Sequence, residues 1–308
     1  MGDTEILHDN LGSARMRQTL LLILAFVVLL NRIGQAQTTI TDRPLDVTVG
    51  NGLWGVFLPE YQIGSDQASN TALRDNGKSL GYQGDLRLIK RFLDTRTSVE
   101  ARAFYGFAQS SDTHSFESLT LPDPHGNNDL EFGSGTANLQ SNLDHYGYDL
   151  GLRDTWRTRF GGVSAGCLFS YMIFDQDFET SHQGTLALSE MLTSEFIGGK
   201  AVFGWDGYIA ECPSLLDLSL GFYQLRTDYA GSSDRSEGIN EDFRYAANPL
   251  NIEASFTTFR DVRNVRVATS FAVTHLGKIP YLIRANEQAA SIEFDDGLML
   301  RLMFEVLL

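Results

Sequence analysis

Ten stretches of this chain alternate apolar and polar residues with the two-residue period of a β-strand, and the connections between them alternate in length throughout. The stretches are Leu45–Leu58, Leu80–Phe92, Thr97–Phe107, Asn142–Trp156, Val163–Phe174, Phe196–Ile209, Leu216–Gln224, Leu250–Phe259, Val265–His275 and Gly297–Leu308. Between them, Pro59–Ser79, Ala108–Ser141, Asp175–Glu195, Leu225–Pro249 and Leu276–Asp296 are long, while Leu93–Arg96, Arg157–Gly162, Ala210–Leu215 and Arg260–Asn264 are short. An up-and-down barrel with short turns at one end and long loops at the other requires this order. A Greek-key sandwich has no reason to produce it.

The final stretch, GLMLRLMFEVLL, shows how each segment sorts. Leu298, Leu300, Leu302, Phe304, Val306 and Leu308 fall on one face, and Met299, Arg301, Met303, Glu305 and Leu307 on the other. At a helical period the run is apolar nearly all round, interrupted by Arg301 and Glu305, so it reads as a strand. A wholly apolar outer face suits contact with hydrocarbon. The same sorting puts Asp85, Arg87, Glu100, Arg102, Asp149, Arg153, Asp217, Glu253, Arg266, Arg301 and Glu305 opposite the apolar face. A ten-stranded barrel is only slightly wider than side chains can fill, which predicts a narrow or plugged lumen holding these charges as a compensating network. The tight turn Leu93–Arg96 brings Arg87 and Glu100 within about two residues of register. In a soluble β-sandwich, the alternative, the same charges would cover the outside of two sheets sharing one core.

The formal net charge is −15, and residues 1–36 contribute none of it, with three Lys/Arg against three Asp/Glu. So acidic a chain lacks the basic footprint for phosphate, which excludes nucleic acid as a partner. Cys167 and Cys212 are too few for a disulfide framework or a zinc site. Their places, one in a strand and one in a turn, predict two separate thiols. Beyond residue 45 no apolar run is long enough for a membrane-spanning helix.

Residues 1–36 read as an export signal. Arg15-Met16-Arg17 precedes the apolar run Thr19–Leu30, and Gly34-Gln35-Ala36 supplies small residues for cleavage before Gln37. The acidic prefix Met1–Ala14 makes Met16 an alternative start, and a short membrane anchor is the alternative to cleavage. Residues 37–44 are then a short periplasmic segment, and residues 45–308 form one domain.

The export signal, the ten alternating strands, the alternating connections and the apolar last strand together resemble small bacterial outer-membrane β-barrels, over Leu45 to Leu308. That resemblance implies an all-β, transmembrane, up-and-down antiparallel barrel in the outer membrane. It also implies a monomer without cofactor or metal, whose partners are outer-membrane lipid and the barrel-assembly machinery. Such barrels usually end on an aromatic residue; this chain ends on Leu308, with Phe304 on the same face.

Ten strands at this length also resemble the omptin surface proteases, which use an Asp pair and an Asp-His pair at the extracellular rim. Asp175-Gln176-Asp177 looks like the first and Asp112-Thr113-His114 like the second, in the reverse of the omptin order. The resemblance implies water activation by a general base; the alternative is solvated loop charge. Asp123, Asn127, Asp129 and Glu131 are oxygen ligands at alternate spacing for a divalent cation such as calcium, without the glycine and closing glutamate of an EF-hand. The histidines, His145 among them, have no metal-ligand spacing, and no nucleophile elbow, phosphate loop or dinucleotide fingerprint occurs. The sequence points to a structural, surface-interacting or narrow-pore barrel ahead of an enzyme, with acidic loops suited to divalent cations. A secreted β-sandwich binding module is the alternative.

Overall fold

The computed structural model describes residues 45–308 apart from 70, 93–94, 122–129, 234–238, 264 and 284–290. The export signal, the segment 37–44, and Asp123, Asn127 and Asp129 lie outside the described residues. Among those described, the chain forms fifteen strands and no helix. In order they are β1 Leu45–Phe57, β2 Gln62–Asp66, β3 Thr71–Arg74, β4 Lys78–Arg91, β5 Thr97–Phe116, β6 Leu119–Leu121, β7 Leu130–Phe132 and β8 Gly135–Thr158. Then follow β9 Gly161–His182, β10 Thr185–Ile209, β11 Cys212–Ser233, β12 Ile239–Ala247, β13 Leu250–Val262, β14 Val265–Ile283 and β15 Ser291–Leu307.

Ten of these close a single antiparallel wall in the order β1, β4, β5, β8, β9, β10, β11, β13, β14, β15. The seam joins the first and last strands, with Leu53 opposite Leu302 and Asn51 opposite Phe304. A closed wall leaves no edge to satisfy, which a structure surrounded by hydrocarbon demands. The sandwich alternative is thereby excluded. β12 extends β11 beyond the wall, and β2, β3, β6 and β7 form a separate small sheet from the first two long connections.

The outward faces are apolar where the ten sequence segments overlap the wall. Leu53, Leu150, Leu152, Ile197, Leu216, Leu218, Ile252 and Leu302 are all exposed. Aromatic residues flank them, with Phe57, Tyr82, Phe107 and Phe222 toward the long connections and Trp156, Phe160 and Tyr208 toward the short turns. Water does not tolerate a continuous apolar belt of this extent. An aliphatic band between aromatic girdles is the outer surface of a membrane-spanning barrel.

The long connections differ from the sequence reading. Asp175–Glu195 is not a loop: β9 and β10 run on through it and meet at a two-residue turn. Gln183 (φ 48°) and Gly184 (φ 82°) supply the positive φ angles such a hairpin needs. β5, β8, β11, β14 and β15 also extend past their apolar stretches. Beyond the membrane the outward residues turn polar, as with Asp144, Asp175, Asp177, Glu179 and Glu195, so the contrast between the faces fades while the pairing continues. Tyr105 donates to Asp144 at 2.7 Å, Tyr146 to Asp175 at 3.0 Å and Tyr171 to Glu195 at 3.3 Å, each carboxylate lying on the next strand of the wall.

Candidate functional site: a charged vestibule under an aromatic plug

Strands of the wall change character along their inward faces, as β5 and β8 show. On β5 the inward residues run Ser98, Glu100, Arg102, Phe104, Gly106 and Ala108; on β8 they run Arg153, Gly151, Asp149, Gly147, His145 and Leu143. The end near the short turns is charged and the end near the long connections is apolar. The interior therefore divides into two tiers.

The charged tier lines a cavity of about 1550 Å³ that reaches the short-turn mouth, where Thr95, Arg96, Arg157, Tyr208 and Pro213 border it. Its charges are paired across strands. Arg87 donates to Glu100 at 2.7 Å, and Arg153 lies 3.0 Å from the other Glu100 oxygen and 2.7 Å from Asp217. Arg102 pairs with Asp85, Arg301 with Glu253, and Lys200 with Asp149 at 2.8 Å. Glu100, Asp149 and Arg301 are each at most 5 % exposed, so these charges have left bulk water and depend on their partners. The sequence list of lumen charges thus meets here with two differences. Arg266 sits one residue after the start of β14, too near the mouth to be buried, and pairs with Asp261 at 2.9 Å as an exposed rim pair. Lys200 joins the network although it was not in that list; the signal for it was its place on the face opposite Ile197, Ala201 and Phe203. Glu305 also lines the cavity.

The apolar tier closes the lumen above the charges. Trp54, Phe104, His145, Met172, Phe174, Phe196, Tyr223, Leu276 and Met299 fill it from eight different strands. Phe196 meets Phe174 and Tyr223 edge-on, with centroids 5.7 and 6.1 Å apart. The Trp54 indole reaches across β4 to donate to the Phe107 carbonyl at 2.8 Å. It can do so because Gly106 has no side chain, for a Cβ there would stand 3.2 Å from the indole ring. A second apolar cluster continues outward, joining Leu139, Phe178, Leu188, Leu192 and Leu282 of the wall to Tyr61, Leu73, Leu119, Leu121 and Leu130 of the small sheet and its connection. Tyr61 stacks on Phe178 at 4.1 Å and donates to Glu190, whose other oxygen accepts from Tyr229 at 2.6 Å. The first long connection is thus fastened into the barrel mouth.

The same connection bears a paired acid. Asp75 is buried, and its carboxyl hydrogen bonds with Asp112 of β5, while Asn76 donates to Asp112 from its backbone and side chain at 3.4 Å. Burial and the Asp112 carboxyl beside it push Asp75 up to about 6.

The protease-like residues do not converge. Asp112 and His114 share the inward face of β5, whereas Asp175 and Asp177 share the outward face of β9 with Phe169 and Tyr171. A wall separates the two pairs. Among the described residues no group of three or more His, Cys, Asp or Glu is arranged to hold a metal ion. Cys167 and Cys212 are free and exposed.

No protein-family model matches this chain, and no curated protein matches it either. Solved structures similar to it include the outer membrane protease OmpT of Escherichia coli, at 8 % identity and a TM-score of 0.42, covering 87 % of this chain and 97 % of that one. A FadL homologue of Pseudomonas aeruginosa is similar at 7 % identity and a TM-score of 0.31, covering 85 % and 89 %. A variant of the TodX monoaromatic hydrocarbon channel is similar at 9 % and 0.30, covering 87 % and 90 %. The side chains of this chain build a barrel of outer-membrane type with a charged chamber at one end and an apolar seal at the other.

Proposed function

We propose that this protein is an exported outer-membrane barrel that does not conduct solutes, acting as a structural and surface-interacting element. The observation that carries the reading is the apolar tier: a polar solute crossing the lumen would have to displace packed rings from six strands. With both ends of the wall at the short-turn side, the chamber faces the periplasm and the tyrosine-carboxylate rows face outward. The extended strands and the small sheet then form the surface presented outside the cell.

Cell-envelope fractionation tests the location, and liposome swelling tests the closure. The protein should stay in the membrane through high salt, shift in mobility on heating in detergent gels, and leave swelling in small sugars at the protein-free rate. Release by salt would refute the location, and rapid swelling the seal.

A further inference from the structure

Where the two tiers meet there is a second, much smaller cavity of about 30 Å³. Its lining holds three cations, Arg102, Lys200 and Arg301, against one carboxylate, Glu253. It also holds His145, which is 3 % exposed and hydrogen bonded through neither ring nitrogen. The imidazole stacks on Phe174 at 4.2 Å and Trp54 at 5.5 Å, so packing holds its edge in place.

The bonding around this cavity is lopsided. Its carboxylate and its side-chain amide oxygen are engaged: Glu253 takes Arg301 and, at 3.1 Å, the Thr274 hydroxyl, while the Asn251 carbonyl takes the Gly277 amide at 3.0 Å. Its donors are not. The Arg301 Nε–H has no hydrogen-bond partner, and an imidazole always carries at least one N–H. Leaving such donors buried and unmade is costly, and a group that accepts from both is what the site lacks.

We propose that this cavity is a binding site for a small, singly charged anion, a halide or the carboxylate of a small acid, held by His145 and Arg301 in the field of Arg102 and Lys200. A cation would face three like charges against one carboxylate, whereas an anion accepts from both unmade donors and is favoured by all three cations. The volume admits one or two water-sized groups, which excludes sulfate. Arg102, Lys200, Glu253 and Arg301 line both cavities, so the route in runs through the large chamber. The site does not depend on whether the barrel conducts.

Trp54 provides the readout. With Trp156→Phe and Trp205→Phe, emission comes from Trp54 alone, and bromide can be titrated against gluconate at constant ionic strength in detergent micelles. The expected result is saturable quenching, displaced by chloride and formate but not by sulfate. His145→Phe keeps the ring stack and removes the nitrogens, and should weaken binding about tenfold or more, the factor carried by one charge-assisted hydrogen bond. Displacement by chloride alone would assign the site to halide, and by formate as well to carboxylate heads; either supports the proposal. Quenching that rises linearly without saturation, or is unchanged in His145→Phe, would overturn it. If that variant does not fold, crystals of the unaltered protein grown in bromide decide the matter. An anomalous peak in contact with His145 and Arg301 supports the site, and no peak there refutes it.

Discussion

Glu100→Gln keeps the shape of a side chain that holds two guanidinium groups and removes its charge. The carboxylate is 4 % exposed, with Arg87 at 2.7 Å on one oxygen and Arg153 at 3.0 Å on the other. Arg153 keeps Asp217 at 2.7 Å, so Arg87 bears most of the loss. Breaking a buried pair from one side costs about 3 to 5 kcal/mol, because a charge is left desolvated without its partner. The chamber admits water from the mouth, which puts the expected value at the lower end, about 3 kcal/mol. Arg87→Gln should cost a similar amount, and the double variant should cost less than the sum by at least about 1 kcal/mol, since both changes remove one interaction. Urea unfolding in lipid vesicles, followed by tryptophan emission and by the heat-sensitive gel shift, gives all three values. Single costs below about 1 kcal/mol that simply add would refute the argument, for that is the scale of charges in open water.

Three further outcomes follow from the same structure. Asp75 has a folded pKa of about 6 against an ordinary 3.8, so its contribution to stability is full below about pH 4 and falls as pH rises through 6. The loss is about 3 kcal/mol at most, and Asp75→Asn, measured beside the unaltered chain across pH 4 to 7, should remove that part of the slope; parallel curves would refute it. Gly106→Leu should expel the Trp54 indole and red-shift its emission, while an unchanged spectrum would mean the indole does not cross β4 there. Tyr61→Phe takes a donor from Glu190 and should cost about 1 to 3 kcal/mol, with faster proteolysis of the first long connection as the local readout.

The strands were legible because a membrane wall demands contrast between its faces at every second residue, and all ten segments lie where the outside is apolar. That signal stops at the aromatic girdle. Past it Asp175 and Asp177 on β9 are as polar as anything inside, so hairpins read as loops. The plug was hidden for the opposite reason: Phe104, Phe174 and Phe196 point inward among outward apolar neighbours, and no contrast marks them. Residue parity alone would have separated the protease-like pairs, since Asp175 is in phase with outward Phe169 and Tyr171 while Asp112 is in phase with inward Phe104. His145 carried no motif; only three-dimensional packing brings it beside Arg301.

The central claim is that the rings of the apolar tier close the lumen, and electrical conductance tests it most directly. In planar bilayers the unaltered protein should show no steady channel. Phe174→Ala with Phe196→Ala removes two fully buried rings at an expected cost of about 3 to 5 kcal/mol each, and should open a small, measurable conductance in protein that still shifts on heating. Steady channels from the unaltered protein, with the same conductance before and after the rings are removed, would contradict the account.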